Sequence, residues 1–362
     1  MGGAQAHVRG TCGPRHGRRD GRPPRARGDR PRARRGRPGA GDRPGAARRD
    51  ALLRPRGLDG DPPVRRLRRL RGLPLLRADA RVIRRLRLLA LSSHPGPTAT
   101  VTVLATVLAV ALGYGPGRVV AVALAVLLGQ LSIGLSNDWI DAERDRSVAR
   151  ADKPVARGEI TVGQVRAAAL VTAAACLVAS AALGPAFLLA HVVLVGAGWA
   201  YNAGLKRTAV SVVPFVVAFG ILPTVVALGA ADPVPAAAWA MATGAVLGVS
   251  IHFTNVLPDL EDDARTGVRG LPHRLGRVPS GLVAFGALAL GAIVVAVGPV
   301  LADPVHAVTP LAVAGLVVTL GIAAWGAVRV VTRPPGRLLF QLIMAASLLL
   351  VAQIALNATR LT

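Results

Sequence analysis

Asn137, Asp138, Asp141 and Asp145 close a long apolar run, and Asn255, Asp259 and Asp263 close a second one with the same four-residue steps. Four residues carry a helix about 40° beyond a full turn, so each set falls on one face and forms an acidic stripe. Carboxylate and amide oxygens are hard donors. They suit magnesium, which is usually held by one or two carboxylates together with substrate phosphates. Two facing stripes could grip a diphosphate through bridging ions. Arg144, Arg146, Arg150 and Lys153 follow the first stripe, Arg265 and Arg269 follow the second, and Lys206 lies between them, all available to complete the neutralisation. Charged residues at helix ends can equally be the solvated rim of a membrane protein. Against that stands their concentration: of the 12 acidic residues after position 80, six lie between Asp138 and Glu159 and four between Asp259 and Asp263.

The elements that must carry these stripes are set by hydropathy. The 362 residues are 52% hydrophobic and 17% charged, with a mean hydropathy of +0.47, and apolar runs long enough to cross a bilayer recur from about Pro97. The expectation is an all-α, polytopic membrane protein. Its net charge of +25 could suggest nucleic-acid binding, but 23 of the 44 basic residues fall in the first 80 positions, so no nucleic-acid partner is expected of the remainder. Residues 1–80 are dominated by Arg, Pro, Gly, Asp and Ala, a composition too poor in apolar side chains to offset chain entropy. They read as a disordered tail, either a genuine segment suited to anionic lipid or upstream sequence translated from a start set too early. Residues 81–362 read as the membrane domain. Arg81, Arg84, Arg85 and Arg87, interleaved with Val, Ile and Leu, suggest a basic helix leading into the first span. Cys12 and Cys176 are the only cysteines and support neither a disulfide framework nor a cysteine metal site.

Nine spans are expected, at about 97–113, 119–137, 163–183, 185–200, 209–230, 235–256, 279–301, 307–330 and 338–357. Basic residues accumulate in the loops after spans two, four, six and eight, whereas the loops on the other face contribute only Arg118. The positive-inside rule then puts the N-terminus and both stripes in the cytoplasm and the C-terminus outside, giving an integral cell-membrane protein whose site opens toward the cytoplasm.

These motifs resemble those of the UbiA superfamily of membrane-embedded aromatic prenyltransferases, over about residues 90–357. Asn137, Asp138, Asp141 and Asp145 fill its NDxxDxxxD motif, and Asn255, Asp259 and Asp263 its second motif. Gly267, Leu271-Pro272 and Arg274-Leu275-Gly276 are similar to the family's G-x3-LP-x-RLG ending, and Arg150-Ala151-Asp152-Lys153-Pro154 with Gly158 to the stretch after the first motif. Tyr201 and Lys206 resemble a Tyr/Lys pair between the motifs, five apart here where many members have four. The resemblance implies a nine-helix bundle and transfer of an isoprenyl group from an isoprenyl diphosphate to a hydrophobic or aromatic acceptor or a lipid precursor. It also implies Mg2+ held by Asp141, Asp145, Asp259 and Asp263, with Asn137, Asp138 and Asn255 completing the diphosphate site. Arg146, Arg150, Lys153, Tyr201 and Lys206 are the catalytic side chains it implies, stabilising the departing diphosphate while the acceptor captures the carbocation.

A terpene cyclase would use the same metal site without an acceptor. A transporter would also carry intramembrane charge, but its acids belong at mid-bilayer and not at helix ends on one face. CDP-alcohol phosphotransferases hold their acids in one continuous block, unlike the separated motifs here. His252, one turn before Asn255, could face the cavity, although a lone intramembrane histidine is more often a packed, hydrogen-bonded residue; the same holds for His191, and Asp232 and Asp303 are given no role.

Overall fold

A computed structural model describes residues 74–148, 150–151, 153–265, 267–302, 308–333, 337–357 and 361. The tail expected at 1–80 lies outside them except for its last seven positions, which begin the first helix; Asp303 lies outside them as well. Every regular element among the described residues is helical. The elements are α1 (Pro74–Ser92), α2 (Pro95–Ala111), α3 (Pro116–Ile140), α4 (Ala142–Ser147), α5 (Val162–Ala182), α6 (Pro185–Ala203), α7 (Val213–Ala227), α8 (Ala238–Val256), α9 (Leu260–Arg265), α10 (Leu271–Leu275), α11 (Arg277–Ala302), α12 (Pro310–Thr332) and α13 (Arg337–Leu356). Short 3-10 turns at Leu205–Arg207 and Leu257–Asp259 follow α6 and α8.

Local chemistry explains where these helices begin. Proline stands in the first turn of α2, α3, α6 and α12, where a missing N–H costs nothing. Helix α5 opens on a reciprocal cap: the Gln164 backbone N–H donates to Thr161 Oγ1 at 3.2 Å, and the Thr161 N–H donates to Gln164 Oε1 at 3.1 Å. The tight join between α5 and α6 turns on Gly184, whose φ of 111° a side chain would resist.

Each of the nine segments expected to span contains a helix among the described residues. Among the described residues seven helices are long and apolar enough to cross a membrane, or eight when α1 and α2, bent by 77° at their junction, count as one span. The exception is α7. Its 15 residues rise only about 22 Å, short of the ~30 Å hydrocarbon thickness.

Packing places α3 against α2, α5 and α6, and α8 against α7 and α11, with α13 closing onto α2 and α8. Their shared core contains Leu104, Leu108, Val122, Val126, Phe187, Leu222, Trp239, Leu247, Phe285, Leu288, Ile343 and Leu350. Outward faces stay apolar: Val171, Val178, Leu189, Val317 and Val318 are exposed, as helices in contact with acyl chains require. At one end of the bundle the last carbonyls of α7 lack intrahelical partners. Tyr114 Oη lies 2.7 Å from Val226 O and 3.0 Å from Ala227 O, and Arg118 donates to Gly229 O at 2.9 Å. Ala237 N–H donates to Leu361 O at 2.6 Å in the same region. The ends of α3, α6 and α8 and the start of α2 meet at the opposite end, where the charged residues are.

Candidate active site

The first motif runs through a helix continued across a joint. Asn137 and Asp138 occupy the last turn of α3, Asp141 stands at its C-terminus, and Asp145 lies in α4. The Asp141 N–H bonds to Asn137 O at 2.9 Å and the Asp145 N–H to Asp141 O at 2.8 Å, so four-residue hydrogen bonding persists and the stripe stays on one face. Asp138, Asp141 and Asp145 are 2%, 1% and 2% exposed. Carboxylates so deeply buried require partners.

Three cations supply them, and a fourth reaches the second motif. Lys153 Nζ lies 3.0 Å from Asp138 Oδ1 and 2.8 Å from Asp145 Oδ2. Lys206, on the 3-10 turn after α6, places Nζ 2.6 Å from both Asp141 oxygens and 3.3 Å from Asn137 Oδ1. Arg144 Nη2 reaches Asp141 Oδ2 at 3.1 Å and Asp145 Oδ1 at 3.4 Å. Its Nη1 lies 3.7 Å from Asp263 Oδ1, in the second motif. Arg150 Nη1 lies 3.5 Å from Asp259 Oδ2. The two motifs therefore meet, joined by basic side chains.

These lysines differ in balance. Burial opposes the charge on Lys153, but the Asp138 and Asp145 carboxylates outweigh it and hold the pKa above its ordinary value. For Lys206 burial prevails over the attraction of Asp141, with Arg144 and Lys153 adding repulsion, and the pKa falls.

The second motif spans a change of helix form. Pro258 lacks a backbone donor, and the helix tightens into the 3-10 turn Leu257–Asp259 before resuming as α9. Asn255 is exposed near the end of α8. Arg146 is exposed too, and none of the described ion pairs includes it. Tyr201 packs edge-on against Phe215 and His252, with ring centroids 5.0 and 5.8 Å apart. His252 Nε2 is 3.1 Å from Ser211 Oγ, which accepts the Leu271 N–H at 2.8 Å and so docks α10 beside the site. His273, on α10, brings Nε2 to 3.6 Å from Asp263 Oδ2.

One contributor has no signature in motif spacing. His94, between α1 and α2, places Nε2 3.1 Å from Asp138 Oδ1 and 3.1 Å from Asn137 Nδ2. Its backbone is left-handed, with φ 55° and ψ 68°, a conformation that costs a non-glycine residue roughly 1–2 kcal/mol. Only the His-Pro dipeptide at the start of a span hinted at it.

The donor set facing this charge network is carboxylate and amide oxygen, the chemistry magnesium prefers. Among the described residues no three acidic, histidine or cysteine side chains converge on a common point, because Arg144, Lys153 and Lys206 already separate the carboxylates. The residues fit a divalent cation that displaces those contacts.

An all-helical membrane protein with two acidic motifs interleaved with basic side chains at one end of its bundle is the class that fold and site define. The profile of the UbiA prenyltransferase family matches residues 98–351, and the chain belongs to that family. No curated protein is significantly similar to it in sequence. Among solved structures, a UbiA homologue from Archaeoglobus fulgidus bound to GPP and Mg2+ matches with a TM-score of 0.57 and 16% identity, covering 75% of this chain and 99% of that one. The apo UbiA homologue from Aeropyrum pernix K1 matches with a TM-score of 0.58 and 18% identity, over 72% of this chain and 98% of that one. A digeranylgeranylglyceryl phosphate synthase matches with a TM-score of 0.56 and 14% identity, over 76% and 98%. At these identities the likeness establishes the shared fold.

Proposed function

We propose that the chain is a magnesium-dependent prenyltransferase that moves an isoprenyl group from an isoprenyl diphosphate to a hydrophobic acceptor, an aromatic ring or a lipid precursor. The observation that carries this reading is Arg144, which contacts Asp141 and Asp145 of the first motif and Asp263 of the second, so that both acidic motifs and their counter-cations form one cluster. The homologue bound to GPP and Mg2+ supports the choice of donor and ion.

Asp141, Asp145, Asp259 and Asp263 would hold the metal, with Asn137 and Asp138 beside them. When bound, Mg2+ supplies positive charge against the leaving diphosphate. Lys153, Lys206, Arg144 and Arg150 now pair with carboxylates; with those carboxylates engaged, their N–H groups turn to diphosphate oxygens and stabilise the negative charge that builds as the allylic C–O bond breaks. The apolar walls of the bundle hold the isoprenoid tail and keep water from the cation until the acceptor captures it. Counting the short α7 as a crossing gives nine, and the distribution of basic loops then favours the N-terminus and the site on the cytoplasmic side and the C-terminus outside. Residues 1–80 are then an appended tail and 81–362 the catalytic domain.

Asp141→Ala and Asp259→Ala should each abolish Mg2+-dependent release of diphosphate from an isoprenyl diphosphate, whereas Glu143→Ala and Asp232→Ala should retain it. Wild-type turnover in either motif variant would overturn the shared site. Release that requires an added acceptor marks transfer, and release with a cyclic hydrocarbon in its absence marks cyclisation.

A further inference from the structure

His94 is the only non-glycine residue with a positive φ among the described residues, and it precedes a proline, whose ring restricts its neighbour further. Strain of this kind persists only where the surroundings over-determine it. Here three features do. The Ser93 N–H bonds to Ala90 O at 3.3 Å, Thr98 Oγ1 donates to Ser93 O at 2.8 Å, and α3 approaches so closely that a Cβ on Gly134 would fall 2.1 Å from the Ser93 carbonyl oxygen. The α1–α2 hinge is thus pressed onto α3 one turn before Asn137 and Asp138.

The consequence lies in the side chain. His94 Nε2 sits 3.1 Å from both Asp138 Oδ1 and Asn137 Nδ2. Lys206 Nζ, 3.3 Å from Asn137 Oδ1, orients that amide with its NH2 toward the imidazole. Whether Nε2 accepts from Asn137 or donates to Asp138, the ring ties down the Asn-Asp pair that opens the first motif. A glycine would hold the left-handed backbone without strain; the imidazole is what histidine adds.

We propose that His94 is a positioning residue for the first acidic motif, clamped by the α1–α2 hinge and Gly134 so that its imidazole sets the orientation in which Asn137 and Asp138 meet the metal-diphosphate. The inference rests on the prenyl-transfer reading above. It assigns to the N-terminal hinge, outside both acidic motifs, a share in metal affinity.

The test uses thermal unfolding of the full-length protein titrated with Mg2+ in the presence of geranyl S-thiolodiphosphate, a non-reacting analogue, alongside the Mg2+ dependence of turnover. His94→Gly removes both strain and imidazole, and His94→Asn keeps a left-handed-tolerant residue whose amide is too short to reach Asp138. Both should unfold close to wild type without ligand, yet need about tenfold more Mg2+ for half-maximal stabilisation and turnover, the scale on which partners of metal ligands act. Gly134→Ala should give the same shift by pushing the hinge away; if it does not insert, the His94 variants decide. Wild-type Mg2+ half-saturation in either His94 variant would overturn the role while leaving prenyl transfer intact. If the wild-type protein gains no stability from Mg2+ with the analogue, the prenyl-transfer reading fails and this inference with it.

Discussion

Arg144 belongs to the first acidic motif, yet its Nη1 lies 3.7 Å from Asp263 Oδ1 of the second. The same guanidinium contacts Asp141 and Asp145 and is only 17% exposed, so it occupies the space between the motifs that a bridging cation would need.

Removing it should have two separable effects. Arg144→Ala should raise the KM for the isoprenyl diphosphate by about tenfold, the loss of one charge-assisted contact, with Arg144→Lys intermediate. Mg2+ alone should also raise the melting temperature of Arg144→Ala more than that of wild type, because the ion no longer competes with the guanidinium. Equal Mg2+-induced shifts in the two proteins would show that Arg144 does not hold the inter-motif position.

Lys153 joins Asp138 and Asp145, and breaking a buried ion pair by removing one partner costs about 3 kcal/mol. Lys153→Met should therefore lower stability by that order in thermal or denaturant unfolding, and Lys153→Met with Asp145→Asn should recover part of it. The pH dependence has a definite sign. Since the folded pKa lies above the ordinary 10.5, the contribution is complete below pH 10.5 and disappears only as pH rises through the folded value. Loss of this stabilisation between pH 7 and 9 would contradict the pairing.

Topology is open to reporter fusions. Fusions after Arg157 and Arg274 should report the cytoplasm, and fusions after Ala182 and Asp232 the outer face. Opposite reports from the two motif loops would separate Asp141 from Asp263 by the membrane and end the single-site model.

Deleting residues 1–73 should leave an inserted, active protein, because that segment has no apolar periodicity with which to pack on a helical bundle. Loss of insertion or Mg2+-dependent turnover on truncation would show that the tail contributes to the folded protein.

The sequence alone was enough for helices, their approximate ends and the two motifs, because apolar run length, proline and glycine placement and four-residue spacing act locally. The continuity of Asn137, Asp141 and Asp145 on one face was legible for the same reason. Pro258 was visible as a residue, but the 3-10 turn Leu257–Asp259 that it begins to shape was not. Tertiary structure alone decided which cations meet which carboxylates: Arg144 sits between the motifs while Arg146 remains exposed, although only Asp145 separates them in the chain. It also brought His94, from a hinge far upstream, onto Asp138. Spacing along a helix determines the face a residue shares with its neighbours, whereas the partner across that face depends on how α2, α3, α6 and α8 pack, and helices packed through apolar surfaces leave no local trace of the polar contacts at their ends.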